Sequence, residues 1–236
     1  MTNLSTSMLD LQPAAVPAPG KNLLRSLVSN FALAAALTVL AMFSIFLVTG
    51  IGQDPLQFVH SPQEYLGILL FNPPILQFAI GLDNLFIMLY SAMFLTLGIS
   101  LWGVVESKAL LATSCGLLGL AGVLDLCENM HFMTMISAAE QGLGIGPTQI
   151  ELQVWESLLK FHVSYLGLFL MGFALPNKTN LETALCFALR WIQLPVGLLI
   201  YLVPREISVP LVMVRFTFFL LALLAFAAIF LQNKSD

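Results

Sequence analysis

Charge is what this 236-residue chain lacks: Asp, Glu, Lys and Arg together make up 9% of it, against about 25% in a soluble domain. Histidine and cysteine occur three times each. Each scarcity excludes something. Nine basic residues stand against thirteen acidic ones, a formal net charge of −4. That leaves no basic surface for nucleic acid or for anionic lipid heads. Cys115, Cys127 and Cys186 all fall in apolar stretches with no C-x-x-C pair, which argues against a disulfide framework, a zinc ribbon or a redox dithiol and leaves them as small core residues. His60, His131 and His162 show no H-x-x-x-H spacing, so zinc would need all three drawn from distant segments plus a carboxylate. Haem between His131 and His162 is disfavoured because His162 points with Trp155, Tyr165 and Phe169, away from the polar residues of its helix. No cofactor is expected. The glycine-rich loop at 142–146 has neither the preceding strand nor the spacing of a phosphate cradle, and no catalytic signature occurs elsewhere.

What is there is apolar: 58% of residues, with a mean hydropathy of +0.92. The chain reads as an integral membrane protein. A span needs roughly 20 apolar residues to cross about 30 Å of hydrocarbon, and six segments qualify, at 27–50, 82–105, 109–137, 152–175, 181–203 and 209–231. They are apolar nearly all round, where barrel strands would alternate. The expected fold is therefore an all-α polytopic bundle of about six transmembrane helices, one domain over 23–236. Residues 1–22, with three prolines among the first twenty, read as a short disordered cytoplasmic tail and not as a cleaved signal. The segment 65–81 is apolar but broken by Asn72-Pro73-Pro74, so it is expected as a re-entrant or interfacial element outside the second span.

Lysine and arginine in short loops set the orientation. Lys21 and Arg25, then Lys108, Lys178 and Lys234, fall on one side of a six-span arrangement, and only Arg205 on the other. Both termini are thus expected to be cytoplasmic, in the cell membrane. A seventh span at 65–81 would divide the basic residues between the two sides.

Ionisable residues inside a bilayer cost about 2.5 to 3.5 kcal/mol each on insertion scales, and here they gather. The third span carries Asp125, Glu128, Asn129 and His131; the fourth Glu156, Lys160 and His162; the fifth Arg190 and Gln193; the sixth Arg215; the second begins with Asp83 and Asn84. Helical rise puts Asp125, Glu128, Lys160, Arg190 and Arg215 between about 10 and 20 Å from one side, in a common layer although the helices alternate in direction. Asp125, Glu128 and Asn129 share one face. On the fourth span Glu156, Lys160, Ser164 and Gly167 form a stripe expected to face the bundle, as do Arg190, Gln193 and Gly197 on the fifth. Pro195 is expected to kink the fifth span.

Asp125, Glu128, Asn129, Lys160, Arg190, Gln193 and Arg215 are the candidate binding residues. The leading expectation is a non-enzymatic membrane protein that binds or passes a small polar or anionic solute. In it Lys160, Arg190 and Arg215 contact the anion, and Asp125 and Glu128 are counter-charges. Two others stand beside it: an intramembrane enzyme acting on a lipid or isoprenoid-like substrate, with Asp125 and Glu128 as acid and base, and a structural subunit needing a partner chain or a second copy. The partners expected are the lipid bilayer and that solute.

Overall fold

The computed structural model describes residues 20–232, with no strand among them. It contains six helices long and apolar enough to cross a membrane: this is an all-α, multi-pass membrane bundle. The long helices are α1 (Gly20–Thr49), α3 (Pro73–Leu101), α4 (Lys108–Glu140), α5 (Pro147–Ala174) and α8 (Arg205–Gln232), while α2 (Pro62–Leu70) is short. The fifth crossing is a composite of α6 (Asn180–Ala188), a π-helical turn (Leu189–Gln193) and α7 (Leu194–Leu202). Most of the expected tail, and Lys234, lie outside the described residues; Gly20 is already helical.

The second crossing starts nine residues earlier than expected, and the reason is local. Asn72 caps α3, its Oδ1 accepting from the Ile75 amide at 3.4 Å, and Pro73 and Pro74 occupy the first turn. There their missing N–H groups cost nothing. The two prolines therefore begin a helix where they were expected to interrupt a segment. Residues 73–81 belong to α3, and Asp83 and Asn84 stand well inside the crossing. Only α2 remains of the expected interfacial element, too short to span. A reciprocal cap opens it: Glu64 N–H donates to Ser61 Oγ, and Ser61 N–H to Glu64 Oε2 at 3.0 Å. The Ser61 amide, chiefly, holds the Glu64 carboxyl below its ordinary range. This cap is complete above that range and opens as pH falls through the lowered value.

Neighbours in the chain are neighbours in space. α1 packs on α3, α3 on α4, α4 on α5, α5 on the composite crossing, that crossing on α8, and α8 back on α1. The six crossings form a closed ring. Buried hydroxyls tie adjacent members, Ser114 Oγ donating to Gly167 O at 2.7 Å and Ser29 Oγ to Ala227 O at 2.9 Å. Outside, apolar side chains such as Leu33, Leu37, Leu40 and Leu47 on α1 are exposed, as a lipid-facing stripe requires.

The interior is layered. One apolar cluster contains Leu97, Leu118, Leu168 and Phe226; a second, at the end bearing the long 50–72 connection, contains Leu76, Ile80, Phe132 and Ile150. Between them on each helix lie the polar residues: Asp83 on α3, Asp125 to Asn129 on α4, Lys160 on α5.

Pro195 cannot donate to Trp191 O, and the wider π turn sits just before it. Beyond it, Gly197 admits the Tyr165 ring: a Cβ there would lie 2.2 Å from Tyr165 Cε2. Tyr165 is fully buried. Gly197→Ala is accordingly expected to cost about 1–3 kcal/mol of stability and to lower the melting temperature in detergent. Gly116→Ala, where nothing lies within 4 Å, should leave it unchanged or slightly raised.

Candidate functional site

The polar layer is built around Lys160, whose side chain is 6% exposed. Its Nζ is bonded to Asp125 Oδ1 and Glu128 Oε2 on the facing helix. Glu128 is fully buried, and its other oxygen accepts from Ser157 Oγ and from Gln153 Nε2, the latter at 3.1 Å. Asp125 Oδ2 accepts from Tyr90 on α3 at 3.4 Å. Asn129 extends the network, its Nδ2 donating to Asp83 Oδ2 at 2.8 Å and to Asn84 Oδ1 at 2.9 Å. Three helices are thus joined by one set of bonds.

Arg215, 2% exposed, forms a second ion pair. Its Nη2 donates at 2.9 Å to Asp54, which sits on a short 3-10 turn (Asp54–Gln57) of the 50–72 connection. Phe161 links the two pairs. Its ring centre is 4.8 Å from Lys160 Nζ and 4.1 Å from Arg215 Cζ, within the range of cation–π attraction. Burial pushes the Asp54 carboxyl above its ordinary range, outweighing the attraction of Arg215 and Lys160.

The ring encloses a cavity of about 170 Å³, lined by all six crossings and by the 51–57 turn. Asp54, Asp83, Asp125, Lys160, Gln193 and Arg215 contribute to its polar wall; half of the rest is phenylalanine and leucine. Several polar atoms buried nearby have no hydrogen-bond partner among the described residues. Gln53 Nε2 and Gln193 Nε2 lack acceptors, on residues that line the cavity. Asn129 Oδ1 and Gln153 Oε1 lack donors, while the Tyr165 and Tyr201 hydroxyls interact with the Arg215 guanidinium. Each such group costs about 1–3 kcal/mol if nothing satisfies it.

Of the seven candidate residues, Asp125, Glu128 and Lys160 meet directly, Asn129 bonds to Asp83 and Asn84 beside them, and Gln193 and Arg215 share the cavity wall with Asp125 and Lys160. Arg190 does not. Its Nε donates to Gly172 O at 2.7 Å, and its guanidinium lies 4.3 Å from the Phe173 ring. Side chains lean toward their helix N-terminus, which for this crossing is the end away from the layer. Its Cα sits at a suitable depth, but its charge is carried elsewhere. Glu156 also departs from expectation, pairing with His131 Nδ1 at 2.9 Å on the flank of α4 and α5. The buried polar line on α5 is Gln153, Ser157 and Lys160, at spacings of four and three, with Ser164 half-buried one turn on and Glu156 about 100° round from Ser157.

The remaining histidines are apart from each other. His162 is exposed beside the Tyr201 ring at 5.7 Å. His60 Nε2 lies 2.8 Å from Pro55 O and 3.1 Å from Arg205 Nη1. Among the described residues, no three His, Cys, Asp or Glu side chains gather as metal ligands.

Sequence reasoning missed Asp54, Gln153 and Ser157. The heptad-like spacing with Lys160 could have revealed the last two. Asp54 carries no such signal, since it reaches the layer only through the folding of a connection. Comparison with family models, with curated proteins and with solved structures finds nothing that matches this chain.

Replacing Lys160 by Met leaves Asp125 and Glu128 facing each other without a counter-charge. The expected loss is about 3–5 kcal/mol, read as a melting shift in detergent and partly recovered by exchanging the charges in Glu128→Lys with Lys160→Glu. Arg190→Met forfeits one bond to a carbonyl and a ring contact, and should cost about 1–3 kcal/mol.

Proposed function

We propose that this multi-pass protein resides in the cytoplasmic membrane with both ends on the cytoplasmic side, and binds or passes a small polar solute in its central cavity. The carrying observation is the cavity itself. All six crossings wall it, its charged residues gather in one layer, and two of the lining residues, Gln53 and Gln193, hold a buried nitrogen with no acceptor among the described residues. Buried polar groups are normally satisfied, so unmet donors beside an open space are what a solute would complete. A pocket of this kind, mostly apolar with a few convergent polar groups, is the usual form of a small-molecule site.

The anion contacts expected from the sequence are reduced by this geometry. Lys160 is engaged by two carboxylates, Arg190 by a carbonyl, and Arg215 by Asp54 with the Tyr165 and Tyr201 hydroxyls beside it. An enzymatic reading with Asp125 and Glu128 as acid and base gains nothing, because both are tied to Lys160. Orientation is supported by the loop charges: only Arg205 lies on the side of the 50–72 connection.

Cysteine accessibility tests both parts. With Cys115, Cys127 and Cys186 replaced by Ser, Ser164→Cys on the cavity wall should react readily with methanethiosulfonate ethylammonium. Ser114→Cys, fully buried between α4 and α5, should not. Equal rates at the two sites would contradict a solute-accessible cavity. In intact cells Gly144→Cys should take an impermeant maleimide and Glu106→Cys only after permeabilisation; the reverse pattern would invert the topology.

A further inference from the structure

We infer that the cavity selects a small hydrophobic ammonium ion, with its charged nitrogen at Asp83 and its apolar body along the aromatic wall of α3. This rests on the reading of the cavity as a solute site and adds the charge and shape of the solute.

Charge decides the sign. Four carboxylates, of Asp54, Asp83, Asp125 and Glu128, are gathered with two basic groups, Lys160 and Arg215. The next candidate cation, Arg190, is turned away to Gly172. An ammonium group brings donors to these carboxylate oxygens, whereas an incoming anion would bring only further acceptors. Asp83 is 7% exposed and lines the cavity. Its Oδ2 accepts from Asn129, and among the described residues no hydrogen bond reaches its Oδ1. That oxygen is where an ammonium group would donate.

The aromatic wall supplies the rest. Phe86, Tyr90 and Phe94 follow Asp83 on one face of α3, at spacings of three, four and four residues. Phe86 and Tyr90 have ring centres 5.0 Å apart, Tyr90 and Phe94 6.4 Å, and Phe94 meets Phe226 of α8 edge-on at 6.0 Å. All four line the cavity. Ring faces attract cations as well as apolar surface, so the wall suits both parts of such a molecule. Size bounds the body. At about 170 Å³ the space is close to the roughly 150 Å³ of an apolar protein cavity known to hold benzene, which points to one ring or a short chain. The unpartnered side-chain N–H of Gln193 would donate to a neutral oxygen on the same molecule.

Three probes of one shape separate the alternatives: phenethylamine, phenethyl alcohol and phenylacetate, titrated calorimetrically against the purified full chain in detergent at neutral pH. The amine should bind most tightly and phenylacetate least. Asp83→Asn should weaken the amine by about tenfold, one lost charge contact, and leave the alcohol unchanged. Asp83→Ser gives a second variant should the first fail to fold. Phenylacetate binding as tightly as the amine, or an amine affinity untouched in either folded variant, would overturn the inference. So would binding of none of the three. The cavity reading itself is scored separately, by labelling of Ser164→Cys.

Discussion

One ammonium group, Lys160 Nζ, lies between two carboxylates of the facing helix, and most of what is specific about this bundle depends on that placement. Hydrocarbon offers little preference among apolar helix faces, since lipid tails are as apolar as leucine. A charge in the same medium has almost no freedom: it must be paired, and the pair must be enclosed. The contact with Asp125 and Glu128 therefore fixes both the depth and the rotation of α5 against α4. The remaining bonds follow from it. Gln153 and Ser157 complete Glu128, Tyr90 brings α3 to Asp125, and Asn129 joins α3 again through Asp83 and Asn84.

The second ion pair closes the ring on the other side. Arg215 of α8 shares the Phe161 ring with Lys160 and is neutralised by Asp54, carried in by the 50–72 connection. Where helices must approach, glycine permits it, as at Gly197 under Tyr165 and Gly167 against Leu118. Where the layer's large ionic and aromatic side chains stand, the helices are held apart. The cavity is a consequence of that alternation, and this is why its polar wall coincides with the charged layer.

Helix number and type were legible in the sequence because both follow from the length and apolarity of runs, which hydrocarbon thickness bounds. The Asp125–Glu128–Lys160 association was legible too, from depth and helical angle. Other features depend on information the pattern does not hold. Asn72-Pro73-Pro74 can break a helix or begin one, and the Asn72 cap decides it. Arg190 has a suitable depth at Cα, but a long side chain reaches about one turn from its backbone, and its direction along the axis moved the charge out of the layer. Asp54 sits in a connection whose path no periodicity encodes.

The central claim is that Lys160 carries a buried, permanently engaged charge. Nitrogen-15 labelling of the five lysines, with the full chain in lipid nanodiscs, tests it directly through hydrogen exchange at each ammonium group. The account predicts one ammonium resonance whose protons are protected from exchange, lost when Lys160 is replaced by Met and shifted when Asp125 or Glu128 is neutralised. A Lys160 signal exchanging as fast as that of Lys108 or Lys178, or a neutral amine at that position, would contradict it.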